Sequence, residues 1–124
     1  MFSSSVSAGL PSYADDYVES SINLNEYLVN DPSSTFCVRV NGDSMMDVGI
    51  HHEDVLIVDR LISAKNQDVV IASINGDLTV KRFIRKENHI FLKPENTNYP
   101  VIEVLSDDEF KLLGVVTSVI KRFK

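Results

Sequence analysis

From Ser33 onward the chain sets short apolar runs, rich in β-branched and aromatic residues, between clusters of turn residues. Such side chains pack well on a pleated, half-buried surface, so the texture predicts strands. The runs fall at Thr35–Val40, Val55–Asp59, Val69–Ile74, Leu78–Ile84, His89–Lys93, Val101–Val104 and Lys111–Arg122. Asn75-Gly76 separates two of them, and both residues tolerate the positive φ that a two-residue hairpin turn demands. The apolar run Leu112–Ile120 fits either an interface strand or a buried core strand.

The pattern changes toward the N-terminus. Between Ser21 and Asn30 the apolar residues Ile22, Leu24, Tyr27 and Leu28 fit a short helix, which Asp31-Pro32 should stop because proline disfavours helical geometry in the residue before it. Residues 1–20 hold six serines, Gly9, Pro11 and the acidic pair Asp15-Asp16 without regular apolar spacing, which reads as a mobile arm. The expected organisation is an arm with one short helix over residues 1–32 and a mainly β domain over residues 33–124. No internal repeat or low-complexity linker interrupts that domain.

With 124 residues and 44% apolar content the chain can build one core but not two ordinary domains. No stretch approaches the ~20 apolar residues that cross a bilayer, and Met1-Phe2-Ser3-Ser4-Ser5 lacks the basic and apolar regions of a secretory signal. A cytoplasmic protein with no membrane contact is expected. The single cysteine, Cys37, cannot form an internal disulfide and reads as a buried apolar residue, and neither a metal site nor any other cofactor is expected.

Net charge is −6, which argues against direct, sequence-specific DNA binding, since that needs clustered Lys and Arg. Charge is also uneven. Residues 1–80 carry three bases against twelve acids, and residues 81–124 nine against six, so the halves stand at −9 and +3. That asymmetry favours protein partners or self-association.

Ser44 lies in Asn41-Gly42-Asp43-Ser44-Met45-Met46, just past an apolar strand. A serine hydroxyl needs a base within hydrogen-bond reach and donors aimed at the developing oxyanion. Gly42 permits a tight turn that can direct successive N–H groups, those of Asp43 and Ser44, at one acceptor. By itself a Gly-x-Ser turn is more often structural. Lys81 lies in Asp77-Leu78-Thr79-Val80-Lys81-Arg82-Phe83, where alternation puts Thr79, Lys81 and Phe83 on one face and Leu78, Val80 and Arg82 on the other. A lysine on a strand is more often a solvated residue with a packed stem. Histidine bases are also available at His51, His52 and His89, but the adjacent pair reads as a solvated turn without the spaced partners of a zinc site.

Read together, these segments resemble a known pattern. Gly42-Asp43-Ser44-Met45 resembles the nucleophile motif of the LexA/UmuD family of self-cleaving serine–lysine peptidases, and Thr79-Val80-Lys81-Arg82 resembles its lysine motif, 37 residues on. Asp54–Asp59, Lys93-Pro94-Glu95-Asn96 and Leu113-Gly114-Val115-Val116 are similar to its other landmarks, so the likeness spans roughly residues 8–120. Gly9-Leu10-Pro11-Ser12, Asp16-Tyr17-Val18-Glu19 and Asn23-Leu24-Asn25 look most like the UmuD branch, and a LexA-type DNA-binding headpiece is not expected within these 124 residues.

The resemblance implies a small, twisted, barrel-like β domain with Ser44 as nucleophile and Lys81 as general base. It implies a cut at Ala8-Gly9, with Val6 as the apolar recognition residue two before it; small residues at the cut suit a site that must enclose an extended segment. Only eight residues precede this cut, fewer than the family's arm. Implied partners are a second copy of the chain, a UmuC-like polymerase subunit and a RecA filament on single-stranded DNA, in SOS mutagenesis. Rival readings are a LexA or phage-repressor fragment, a noncatalytic polymerase-binding subunit, and a membrane-anchored signal peptidase, which is expected to carry an apolar anchor of a kind not seen in these 124 residues. Lysine ionises near ~10.4, so a neutral Lys81 at pH 7 costs ~4 kcal/mol, which burial under the arm would have to supply.

Overall fold

The computed structural model describes residues 21–124. The expectations for Val6, Ala8 and Gly9 therefore lie outside the described residues. A one-turn helix, α1 (Leu24–Leu28), precedes seven strands: β1 (Thr35–Arg39), β2 (Val55–Asp59), β3 (Val69–Ile74), β4 (Asp77–Lys86), β5 (His89–Lys93), β6 (Ile102–Val104) and β7 (Phe110–Ile120). They form one antiparallel sheet in the order β1-β2-β7-β3-β4-β5-β6. The fold is mainly β, as the apolar pattern indicates.

The helix is shorter than its apolar spacing suggests. Asn23 caps it by accepting from the Glu26 N–H at 3.3 Å, which fixes the start two residues late, and it ends at Val29. Leu24 and Tyr27 are exposed, so the apolar set that marks the helix does not bury it.

Asn75 and Gly76 adopt φ of 51° and 88° and close the β3–β4 hairpin. Asn75 also docks a distant loop: its side chain donates to Asp108 at 2.9 Å and accepts from the Glu109 N–H at 2.9 Å.

The last strand, β7, joins β2 to β3 by halves: its residues 110–115 pair with β3 and its residues 115–120 with β2, so Val115 alone is partnered on both sides, and residues 116–120 have no strand partner on the β3 side among the described residues. Two register shifts, opposite Ile57/Val58 and Ile71/Ala72, interrupt this pairing. Gly114 stands where a Cβ would lie 2.6 Å from a Val58 methyl and 3.0 Å from the Asp59 carbonyl oxygen. Only a residue without a side chain allows that approach.

Two apolar clusters stabilise the sheet. One gathers Val40, Met45, Ile50, Leu56, Val58 and Ile71; the other gathers Val70, Ala72, Phe83, Leu92 and Val115. The first includes residues on both sides of the Ser44 turn, which ties that turn to the core.

Cys37 is exposed rather than buried. It lies on β1, an edge strand, where Phe36 and Val38 pack inward and the alternate residues Cys37 and Arg39 face solvent.

Candidate active site

Strand β1 runs into Val40, after which Gly42 turns the chain with φ of 96°. Its N–H donates to His52 Nδ1 at 3.0 Å. Met45, 1% exposed, sinks into the first cluster, and a short 3-10 turn over Met46–Val48 follows. A buried Met45 fixes the direction of the neighbouring Ser44, because adjacent residues on so tight a turn cannot move independently. Asp43, Ser44, Thr79, Lys81 and Tyr99 line a cleft of about 420 Å³ whose apolar wall includes Val38 and Leu56.

Lys81 enters this cleft from β4. It is 8% exposed, and its Nζ lies 3.1 Å from Ser44 Oγ, 2.5 Å from Thr79 Oγ1 and 3.2 Å from the Val80 carbonyl oxygen. Three acceptors match the three protons of an ammonium group. They also match a neutral amine that donates to Thr79 and Val80 and accepts from the Ser44 hydroxyl. Burial strips water from the charged form and holds the Lys81 pKa below the ordinary lysine value.

Arg82, on the opposite face of β4, points away as alternation requires. Its Nε donates to Glu95 Oε1 at 2.6 Å and its Nη1 to the Gln67 carbonyl at 2.5 Å. The histidines lie elsewhere. His52 contacts Gly42 and Glu53, His51 contacts Lys121, and His89 contacts Glu103. Among the described residues, Lys81 is the one side chain hydrogen-bonded to Ser44.

The loop after β5 closes the site from the other side. Asn96, 7% exposed, donates from Nδ2 to the Asp43 carbonyl at 2.9 Å, and the Tyr99 hydroxyl donates to Asp43 Oδ1 at 2.5 Å. That bond and the carboxylate's charge raise the Tyr99 pKa above its ordinary value. The Asp47 N–H donates to the Glu95 carbonyl at 2.8 Å, and the Glu95 N–H to Met45 Sδ at 3.3 Å. Sequence reasoning put Thr79 on the face of Lys81 but gave it no role. Asn96 and Tyr99 reach Asp43 across 53 and 56 residues, a contact no local pattern signals.

Among the described residues no group of three or more His, Cys, Asp or Glu side chains could hold a metal ion, and no helix is long and apolar enough to cross a membrane.

Comparison with known proteins gives consistent matches. A family described as Peptidase S24-like matches residues 1–117. The chain is similar to protein SamA of Salmonella typhimurium, 39% identical over 122 residues that cover 98% of this chain and 84% of SamA. It is 42% identical to protein MucA of Escherichia coli over 113 residues, covering 90% of this chain and 77% of MucA. The LexA repressor of Clostridium kluyveri is 35% identical over 119 residues, which are 96% of this chain and 57% of that repressor.

Proposed function

The chain belongs to the Peptidase S24-like family, and from that premise we propose that it is a self-cleaving serine peptidase with Ser44 as nucleophile and Lys81 as general base. The observation that carries this reading is the 3.1 Å approach of a buried, pKa-lowered lysine to a serine hydroxyl on a tight turn. The substrate is the chain's own Ala8-Gly9 bond, on an arm comprising residues 1–32. The peptidase domain comprises residues 33–124.

In the reaction, neutral Lys81 takes the hydroxyl proton as Ser44 Oγ bonds to the Ala8 carbonyl carbon. The resulting oxyanion accepts from the backbone N–H groups of Asp43 and Ser44, which donate to no acceptor among the described residues. The tetrahedral species then breaks its bond to the Gly9 nitrogen, and the Lys81 ammonium returns the proton to that leaving amine. Water hydrolyses the Ser44–Ala8 ester with Lys81 again as base.

Lys81 donates to Thr79 and Val80 throughout, which aims its lone pair at Ser44. Val6 would occupy the apolar part of the cleft, near Val38 and Leu56. The cleft side of β4 is suited to an extended segment. Pairing with β5 begins at Arg82, so Asp77–Lys81 have no strand partner on that edge among the described residues.

The processed form, residues 9–124, then serves as a homodimeric accessory subunit of a UmuC-like translesion polymerase, with a RecA filament on single-stranded DNA favouring the cut. This wider role rests on the UmuD-like sequence pattern and on the similarity to SamA and MucA. Incubation with RecA, an ATP analogue and single-stranded DNA, followed by intact-mass spectrometry, tests it. Loss of residues 1–8 is expected from the parent chain and not from Ser44→Ala, and a parent chain left whole contradicts the reading. Pull-down of a polymerase subunit by residues 9–124 tests the second half.

A further inference from the structure

We propose that Asn96 is a positioning residue for this reaction: it orients the Asp43–Ser44 peptide so that the Ser44 N–H faces the oxyanion. The proposal rests on the serine-peptidase reading above and deepens it.

The Asn96 amide is fixed at both ends. Its Nδ2 donates to the Asp43 carbonyl at 2.9 Å while its Oδ1 accepts from the Asn98 N–H at 3.0 Å. Turning the amide over would set two carbonyls and two N–H groups against each other, so one orientation holds. Asn96 is buried, and an unpaired amide there would be costly.

The Asp43 carbonyl and the Ser44 N–H belong to one planar peptide unit, and no cis peptide occurs among the described residues. In a trans unit the C=O and N–H point in opposite directions. A carbonyl held toward Asn96 therefore turns the Ser44 N–H away from it. Asp43 and Ser44 line the cleft and Asn96 does not, so the N–H is turned to the cleft side. It donates to no acceptor among the described residues, whereas the Asp43 carbonyl accepts twice, from Asn96 and from the Met46 N–H at 3.2 Å. Two donors on that oxygen also polarise the peptide and strengthen the N–H as a donor.

The loop that carries Asn96 is itself anchored. Arg82 holds Glu95 at 2.6 Å, and Glu95 meets both Met45 and Asp47 through its backbone. β4 thus supplies Lys81 to the serine on one face and, through Arg82, steadies the oxyanion donor on the other. Asn96 transfers no proton.

The test measures self-cleavage of the full chain against pH in the parent and in Asn96→Leu and Asn96→Ser, with Ser44→Ala alongside. An oxyanion-hole donor is worth ~100- to 1,000-fold, and a misdirected one should cost about 10- to 100-fold. The expected result is that loss at every pH, with the alkaline midpoint set by Lys81 unmoved. A midpoint that moves with the rate would mean that Asn96 merely holds the site's general shape, and parental rates in both variants would likewise overturn the proposal. Cutting that survives Ser44→Ala sinks the peptidase reading itself, whereas an inert Ser44→Ala beside fully active Asn96 variants sinks only this inference. Should neither variant fold, the parent still decides it by NMR. A coupling across the hydrogen bond from Asn96 Nδ2 to the Asp43 carbonyl carbon is expected, and its absence where sheet hydrogen bonds are detected contradicts the geometry.

Discussion

Replacing Thr79 with valine removes one hydroxyl from beneath Lys81 and keeps the branched shape. Thr79 Oγ1 is the nearest of the three groups that accept from Lys81 Nζ, at 2.5 Å. A hydrogen bond to an ionised group contributes about 1.5–3 kcal/mol and a neutral one about 0.5–1.5 kcal/mol. The difference, about 1 kcal/mol, favours the ammonium in the parent and disappears in the variant. At 1.36 kcal/mol per tenfold, the alkaline midpoint of self-cleavage should fall by about 0.7 pH. The plateau should fall too, by about 10-fold, because the lone pair loses one of the two contacts that aim it. Rates followed by intact mass across the alkaline range separate the two effects: more neutral base at a given pH, but a worse-placed one. Thr79→Ser keeps the hydroxyl and should keep the midpoint. A Thr79→Val midpoint that rises, or stays with the plateau intact, would refute the role given to this contact.

Three further outcomes follow from the same structure. Burial lowers the Lys81 pKa, so between that pKa and the ordinary lysine value of about 10.5 the unfolded chain binds the extra proton. Parent stability therefore gains with rising pH and loses the gain as pH falls through the folded pKa; Lys81→Met lacks this rise, so urea melts should favour the variant more at pH 7 than at pH 10. Gly114→Ala drives a Cβ to 2.6 Å from Val58 and 3.0 Å from a backbone oxygen that cannot yield, and should cost about 1–3 kcal/mol in the same melts; unchanged stability would contradict the close approach. Cys37, exposed on β1, should react with a thiol reagent in the folded protein at a rate close to that in urea, and strong protection would contradict its exposure.

Much of this fold could be read from local pattern. Each of the seven apolar runs became a strand, because side-chain alternation is a property of a few neighbouring residues. The Asn75-Gly76 turn was legible from backbone preference, and the divergence of Lys81 from Arg82 from strand geometry alone. Strand order was not legible: β7 enters between β2 and β3, and nothing in Phe110–Ile120 names its neighbours. Cys37 was misread for the same reason, since its exposure follows from β1 lying at the sheet edge rather than from its own character. Leu24 and Tyr27 carry helical spacing on a helix too short to bury them.

At the site, Ser44 and Lys81 came from a joined pattern of motifs. Asn96 and Tyr99 came only from the folded loop that brings them to Asp43.

The central claim is that Lys81 activates Ser44 against the chain's own arm. Incubating purified parent, Ser44→Ala and Lys81→Ala chains without any partner at pH 7 and pH 10, and weighing the products, tests it most directly. A cut between Ala8 and Gly9 is expected in the parent alone, faster at pH 10, where Lys81 loses its proton without help. A cut that persists in both variants, or equal parent rates at the two pH values, would contradict it.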